Sequence, residues 1–317
     1  MGYSAGDTIL DDEYNTFVNS SSDPYGYNHF AGPGSGVYGL NQATIGTVAP
    51  GDTVAASQWN ALFTGLDNIS NHTNVSITST SVSAGDTIAV RSALVGDLAN
   101  LAAAVAGGST SATALGTNAV GTSTNSGTWN STSTIERSVT FANNNTMRAF
   151  FNGGGKIRVD PTCVTGIDGS KDTVFNDLTT TAIGNLDINA QTSTRSGSGE
   201  TLTTNGLANG FYDLGTGYTT ILKLTSDNSG YTSNTVEIQA KLNAAPASAT
   251  VITIKMISSD PADDTTFSSN NLSGVPTNPN EAPRMTLALI EVFPNDTQGL
   301  ASSIQSSSNA EVSNSAS

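Results

Sequence analysis

The hydrophobic pattern of this chain changes period once, and that change decides what it can fold into. Up to about residue 107 the apolar residues recur at helical spacing: Tyr14, Phe17 and Val18, then Trp59, Leu62, Phe63, Leu66 and Ile69, then Leu94, Leu98, Leu101 and Val105. Past residue 128 they alternate instead. Ile135, Arg137, Val139 and Phe141 interleave with Thr134, Glu136, Ser138 and Thr140, which is the period of a half-buried strand. The expected fold is therefore mainly β with a partly helical N-terminal region, the C-terminal part being an antiparallel β-sandwich of jelly-roll or immunoglobulin-like kind. Four stretches follow: a helix-and-loop assembly region over 1–107, a Gly/Ser/Thr linker or loop over 108–128, the sandwich over 129–296 and a polar tail over 297–317.

Within the β region the run from Met147 to Val159 reads as two strands joined at Asn152-Gly153-Gly154-Gly155, with Gly153 and Gly154 at the turn. Further strands are expected at 217–224, 233–242, 249–258 and 284–293, separated by turn clusters. Residues 163–213 are less regular. There Val174, Phe175 and Leu178 suggest a short helix, with strands near 183–189 and 200–204.

A short phrase occurs three times, as Ala5-Gly6-Asp7-Thr8-Ile9, Pro50-Gly51-Asp52-Thr53-Val54 and Ala84-Gly85-Asp86-Thr87-Ile88. Each occurrence precedes a helical segment. We read Gly51, Asp52 and Thr53, and likewise Gly85, Asp86 and Thr87, as helix-entry punctuation: glycine for the turn, Asp or Thr for free amides, and Val54 or Ile88 to pin the loop to the core. The spacing fits neither a calcium loop nor a phosphate loop.

Between the first two helices, residues 19–49 hold Tyr25, Tyr27, Phe30 and Tyr38 among Gly, Asn and Ser, with no sustained period. A segment of that length without elements is uncommon inside a compact domain, so it is expected as an extended arm whose aromatics contact a neighbouring subunit.

Only 12% of the 317 residues are charged, against about 25% in ordinary globular proteins, and the net charge is −15. Phosphate backbones and anionic membrane faces would repel such a chain, so neither nucleic acid nor membrane is expected as a partner. Cys163 is the sole cysteine, which rules out a disulfide framework and thiolate clusters within one chain. Met1 to Phe17 shows no basic stretch followed by an apolar run, so no export leader is expected.

Chemistry is scarce as well. The two histidines, His29 and His72, sit in a loop and at a helix end, and no Gly-x-Ser-x-Gly elbow is present. Glycoside hydrolysis needs only two carboxylates, and Asp160, Asp168, Asp172, Asp177 and Glu200 are available, but nothing in their spacing selects a pair. Asp260, Asp263 and Asp264 beside Pro261 read as a solvated loop, calcium being the one ion this chain could hold there. The expectation is a protein that is not an enzyme and needs no cofactor.

Several phrases together resemble a group of tail-fibre-like virion proteins of tailed phages, notably cyanophages and other marine phages. Arg148-Ala149-Phe150-Phe151-Asn152-Gly153-Gly154-Gly155-Lys156-Ile157-Arg158-Val159, after Ser138-Val139-Thr140-Phe141-Ala142, looks like that group's signature. Gly51-Asp52-Thr53-Val54, Ser57-Gln58-Trp59-Asn60-Ala61-Leu62, the Ile69 and His72 helix end and Ala84-Gly85-Asp86-Thr87-Ile88 follow in similar order. The resemblance covers about residues 1–160 by motif. It implies a homo-oligomeric structural protein of the virion, a neck or tail appendage or fibre-like part made in the host cytoplasm, with other virion proteins as partners and no catalytic residues. The alternatives are a capsid decoration protein and an adhesin whose sandwich binds a host surface glycan, in a groove lined by Tyr212, Tyr218 or Tyr231.

Overall fold

The computed structural model describes residues 11–83, 91–109, 115–165, 169–261, 282–294, 300 and 308–316. The chain forms two compact units, one of residues 1–116, 143–155 and 293–305, the other of 117–142, 156–292 and 306–317.

The first unit is helical. It contains α1 (Asp11–Asn19), the single turn α2 (Tyr27–Phe30), α3 (Ala56–Thr73), α4 (Arg91–Ala106) and α5 (Asn144–Asn152). The apolar stripes expected from spacing do form its core: Tyr14, Trp59, Leu62, Leu66, Ile69, Leu98 and Leu101 are all buried. Trp59 takes the Tyr14 ring edge-on at 5.2 Å.

Residues 19–49 are part of this core and not an extended arm. Tyr27, Phe30, Ala31 and Leu40 are buried in it, so the long irregular stretch covers its own hydrophobic surface. Ahead of α3, Gly51 turns the chain with φ of +88° and Val54 packs on the core. Asp52 and Thr53 are exposed and cap nothing in the described structure; Gln58 Oε1 reaches back instead to accept the Ala55 N–H at 2.7 Å. The other two copies of the phrase, with Gly85, Asp86 and Thr87, lie outside the described residues.

The expected hairpin over Met147 to Val159 is replaced by a helix followed by a strand. Asn143 caps α5 by accepting the Thr146 N–H at 2.9 Å, and Met147, Phe150 and Phe151 then fall on one helical face, all fully buried. Gly153 and Gly154 (φ +87°) close the helix and lead into β3, so they end a helix where a hairpin tip was expected. The chain thus leaves the β unit after residue 142, contributes one helix to the helical unit and returns at 156.

The second unit is a β-sandwich of two antiparallel sheets. The strands are β1 (Leu115–Thr124), β2 (Thr132–Thr140), β3 (Lys156–Cys163), β4 (Leu186–Ile188), β5 (Ser193–Arg195), β6 (Thr201–Asn205), β7 (Thr219–Thr225), β8 (Thr235–Leu242), β9 (Val251–Ser259), β10 (Met285–Pro294) and β11 (Ser308–Ala316). One sheet has five strands in the order β1-β10-β3-β4-β5, the other six in the order β11-β2-β9-β8-β7-β6. Strict alternation of burial along β8, with Val236, Ile238, Ala240 and Leu242 inside, shows how period 2 becomes a core face. Val174 and Phe175 do lie on a short helix, α6 (Gly169–Asn176), and a π-helical turn, Asp177–Ile183, carries Leu178. Two expectations change. The 108–128 linker contains β1, and the polar tail contains β11, which pairs with β2.

One charged pair is sealed inside this unit. Lys171 on α6 meets Asp260 at 2.7 Å, and neither side chain has any exposed surface. Asp260 is therefore a buried ion-pair partner, correcting the solvated loop expected there; Asp263 and Asp264 lie outside the described residues.

Candidate functional site

Asparagine side chains set the shape of the helical unit. Asn28 Oδ1 accepts the Ile45 N–H at 2.8 Å while its Nδ2 donates to the Ile45 carbonyl at 2.8 Å. Asn15 clasps Val48 in the same way, both bonds at 2.9 Å, and Asn60 clasps Val82, both at 2.8 Å. An amide offers one acceptor and two donors, so each side chain does for one loop residue what a neighbouring strand would do. Asp97 holds a further stretch, accepting the Thr78 N–H at 3.1 Å and the Ser79 N–H at 2.8 Å.

Arg148 and Asn152 on α5 hold the segment 33–39 from the other side. The Arg148 guanidinium donates to the carbonyls of Tyr38 (2.7 Å) and Pro33 (2.8 Å) and to Asn145 Oδ1 (2.8 Å), and it is 4% exposed. Asn152 Nδ2 donates to the Gly39 carbonyl at 2.9 Å. The chemical reason for arginine is its fork of donors, which one side chain can spread over several carbonyls.

These contacts shape an open groove of about 540 Å³ whose walls include Asn19, Asn28, His29, Pro33, Thr44 and Thr47. Among the described residues no carboxylate or ammonium lines it. Above His29 the rings stack, Tyr25 on His29 at 4.4 Å and nearly parallel, with Tyr38 at 4.5 Å from Tyr25. Burial, helped by the nearby Arg148 charge, lowers the His29 pKa below its ordinary value. The groove can hydrogen-bond a neutral polar ligand.

Of the four aromatics expected at an interface, Tyr25 and Tyr38 are half-buried at this rim. Tyr27 and Phe30 are 5% and 0% exposed, so their side chains pack inside the unit and have no surface to offer a partner. Burial pushes the Tyr27 hydroxyl pKa up to about 12. His72 is fully buried and donates from Nε2 to the Gly153 carbonyl at 2.9 Å, a packing role.

In the β unit, two of the nominated carboxylates come together. Asn228 Nδ2 donates to Glu200 Oε1 at 3.4 Å and to Asp177 Oδ2 at 3.5 Å. Spacing could not reveal that pair, because it depends on the pairing of β6 with β7, which sets Glu200, at a φ of +55°, beside the residues that follow β7. Burial, then the Asp227 and Asp177 carboxylates, raises the Glu200 pKa despite the N–H of Asp227 bonded to it at 2.6 Å. Tyr218, a candidate for sugar stacking, already has Lys255 Nζ 3.6 Å and Lys241 Nζ 4.2 Å from its ring centre. Its face is occupied by cation–π contacts.

Among the described residues no group of three or more His, Cys, Asp or Glu side chains is placed to hold a metal, and no helix is long and apolar enough to cross a membrane. No protein-family model, curated protein or solved structure matches the chain.

Proposed function

We propose that this chain is a non-catalytic structural subunit of a tailed-phage particle, a homo-oligomeric part of the neck, tail or a fibre-like appendage that contacts other virion proteins. The observation that carries the reading is the way its loops are built. Stretches that would normally move are fixed by neutral side-chain clasps, Asn15 on Val48, Asn28 on Ile45 and Asn60 on Val82, and by the Arg148 fork. That construction serves shape. The motif order over residues 1–160 supplies the particle. A chain so poor in charge also suits wet, repeated subunit contacts, where buried charges would be costly.

Light scattering on the purified full-length chain, with mass spectrometry of intact particles, tests this. A closed oligomer that is abundant in particles is the expected result. A monomer missing from particles overturns it.

The groove favours one second reading, a glycan-binding adhesin. Amide and hydroxyl groups from Asn19, Asn28, Thr44 and Thr47 below an aromatic rim are the kind of surface that takes a neutral sugar. Titration calorimetry with neutral host oligosaccharides separates the two: binding lost on Asn28→Ala supports the adhesin, and no heat from any sugar removes it.

A further inference from the structure

The six-stranded sheet ends on one side in β11, which differs from its neighbours in the sheet interior. Eight of its nine residues are exposed and Asn314 is intermediate, so no side chain of the strand enters a core. It is nevertheless seated. Besides its backbone ladder to β2, Arg137 Nη2 donates to Asn309 Oδ1 at 3.0 Å and Asn314 Nδ2 donates to the Thr124 carbonyl at 3.0 Å. Among the described residues the outer edge of β11 has no neighbouring strand within the sheet.

Sheet edges are usually blunted by lysine, proline or inward charge, because an open row of N–H and C=O groups pairs with whatever strand it meets. The sequence of β11, SNAEVSNSA, holds no lysine and no proline. Its pairing with β2 is regular on both sides of one break: Glu311 faces Arg137, Ser313 faces Glu136, and Val312 between them is passed over. Val312 is 54% exposed, one of two large hydrophobic residues left so among the described residues.

We propose that β11 is an interface between two copies of this chain, joined edge to edge and antiparallel about a two-fold axis at Val312. A two-fold contact must be self-complementary, and this register is. Val312 meets Val312 of the partner subunit, which covers the exposed apolar surface. Glu311 falls opposite Ser313 of the partner subunit, and Ala310 opposite Asn314 of the partner subunit. An axis at Glu311 would instead set two carboxylates face to face, which destabilises a strand pair. Asn309 ties each strand to Arg137 on β2 of its own sheet and Asn314 ties it to Thr124 on β1 of the other sheet, so the edge is formed before the copies meet and little ordering is lost on contact. Two edge strands bury less than the roughly 1,200–2,000 Å² of a stable stand-alone complex, so this contact is one of several repeated in an assembly. The inference rests on the homo-oligomeric reading above.

The test is a cross-link in the full chain with Cys163→Ser. Val312→Cys in that background should give a covalent dimer as the main product of mild oxidation, whereas Ser308→Cys should give at least fivefold less. Val312→Pro should lower the assembled mass seen by light scattering while the circular dichroism spectrum stays unchanged. Equal cross-linking from both cysteines, or an assembly indifferent to Val312→Pro, overturns the β11 contact and leaves the oligomer standing. A chain that is monomeric at every concentration and gives no Val312→Cys dimer removes both.

Discussion

The ring of Tyr27 lies against the bare backbone of Gly65 in α3: a methyl group on Gly65 would sit 2.7 Å from Tyr27 Cε2 and 2.8 Å from Cζ. Helix propensity argues for alanine at a mid-helix position, by about 1 kcal/mol. Here packing overrules it. Gly65→Ala is expected to destabilise the helical unit by about 1–3 kcal/mol, the usual cost of overpacking, and Gly65→Ala with Tyr27→Leu should recover part of that. Chemical denaturation followed by tryptophan fluorescence, Trp59 lying in the same core, measures both, and a more stable single variant would show that the ring has room to move.

Arg148 donates to the carbonyls of Tyr38 and Pro33 at once. Arg148→Met should cost about 1.5–3 kcal/mol, since several part-buried carbonyls lose a charged donor together. Arg148→Lys should recover little, because one ammonium cannot span the same carbonyls. Hydrogen exchange at residues 33–40 should speed up in both variants; protection equal to the parent chain would mean that Arg148 is not what holds the segment.

Lys171 and Asp260 form a pair worth breaking in two ways. Lys171→Met alone strands a buried carboxylate and should cost about 3–5 kcal/mol, whereas Lys171→Met with Asp260→Leu should cost clearly less. A double-mutant cycle in urea reads the coupling. Additive losses would show that the two groups do not depend on each other.

Glu200 gives a pH signature of definite sign. Its folded pKa is raised, by burial first and then by Asp227 and Asp177, so its protonated form is the one the fold prefers. Stability linked to it is present at low pH and is lost as pH climbs from the ordinary value of 4.5 through the raised folded value. Glu200→Gln should flatten the dependence of Tm on pH in that window and leave Tm at pH 7 equal or higher. A steeper slope after the substitution would contradict the assignment.

The parts of this fold that spacing disclosed are those with a buried face. The expected strands at 217–224 and 233–242 correspond to β7 and β8, and the stripe from Trp59 to Ile69 is one side of α3. Strands without such a face gave no signal. Both β1 and β11 are mostly Gly, Ser, Thr, Asn and Ala, with only isolated apolar residues such as Val120 and Val312, and their pairing depends on backbone bonds, which are indifferent to residue type. In α5 the signal was present and ambiguous: Phe150-Phe151 suits a strand, and the deciding feature is Asn143 as a cap, with Met147 one turn before Phe151. The groove was the least legible. It arises where Asn28 meets Ile45 and Arg148 meets Tyr38, partners 17 and 110 residues apart, and no local pattern connects them.

The clasps of Asn15, Asn28 and Asn60 have a consequence for where such a part can work. Ion pairs on a surface weaken as salt shortens their reach, from about 10 Å at 0.1 M to about 3 Å at 1 M, and carboxylates let go in acid. A side-chain amide does neither, because it has no charge to screen and no proton to gain in ordinary water. The loops fixed by these three residues should keep one shape from dilute buffer to brine.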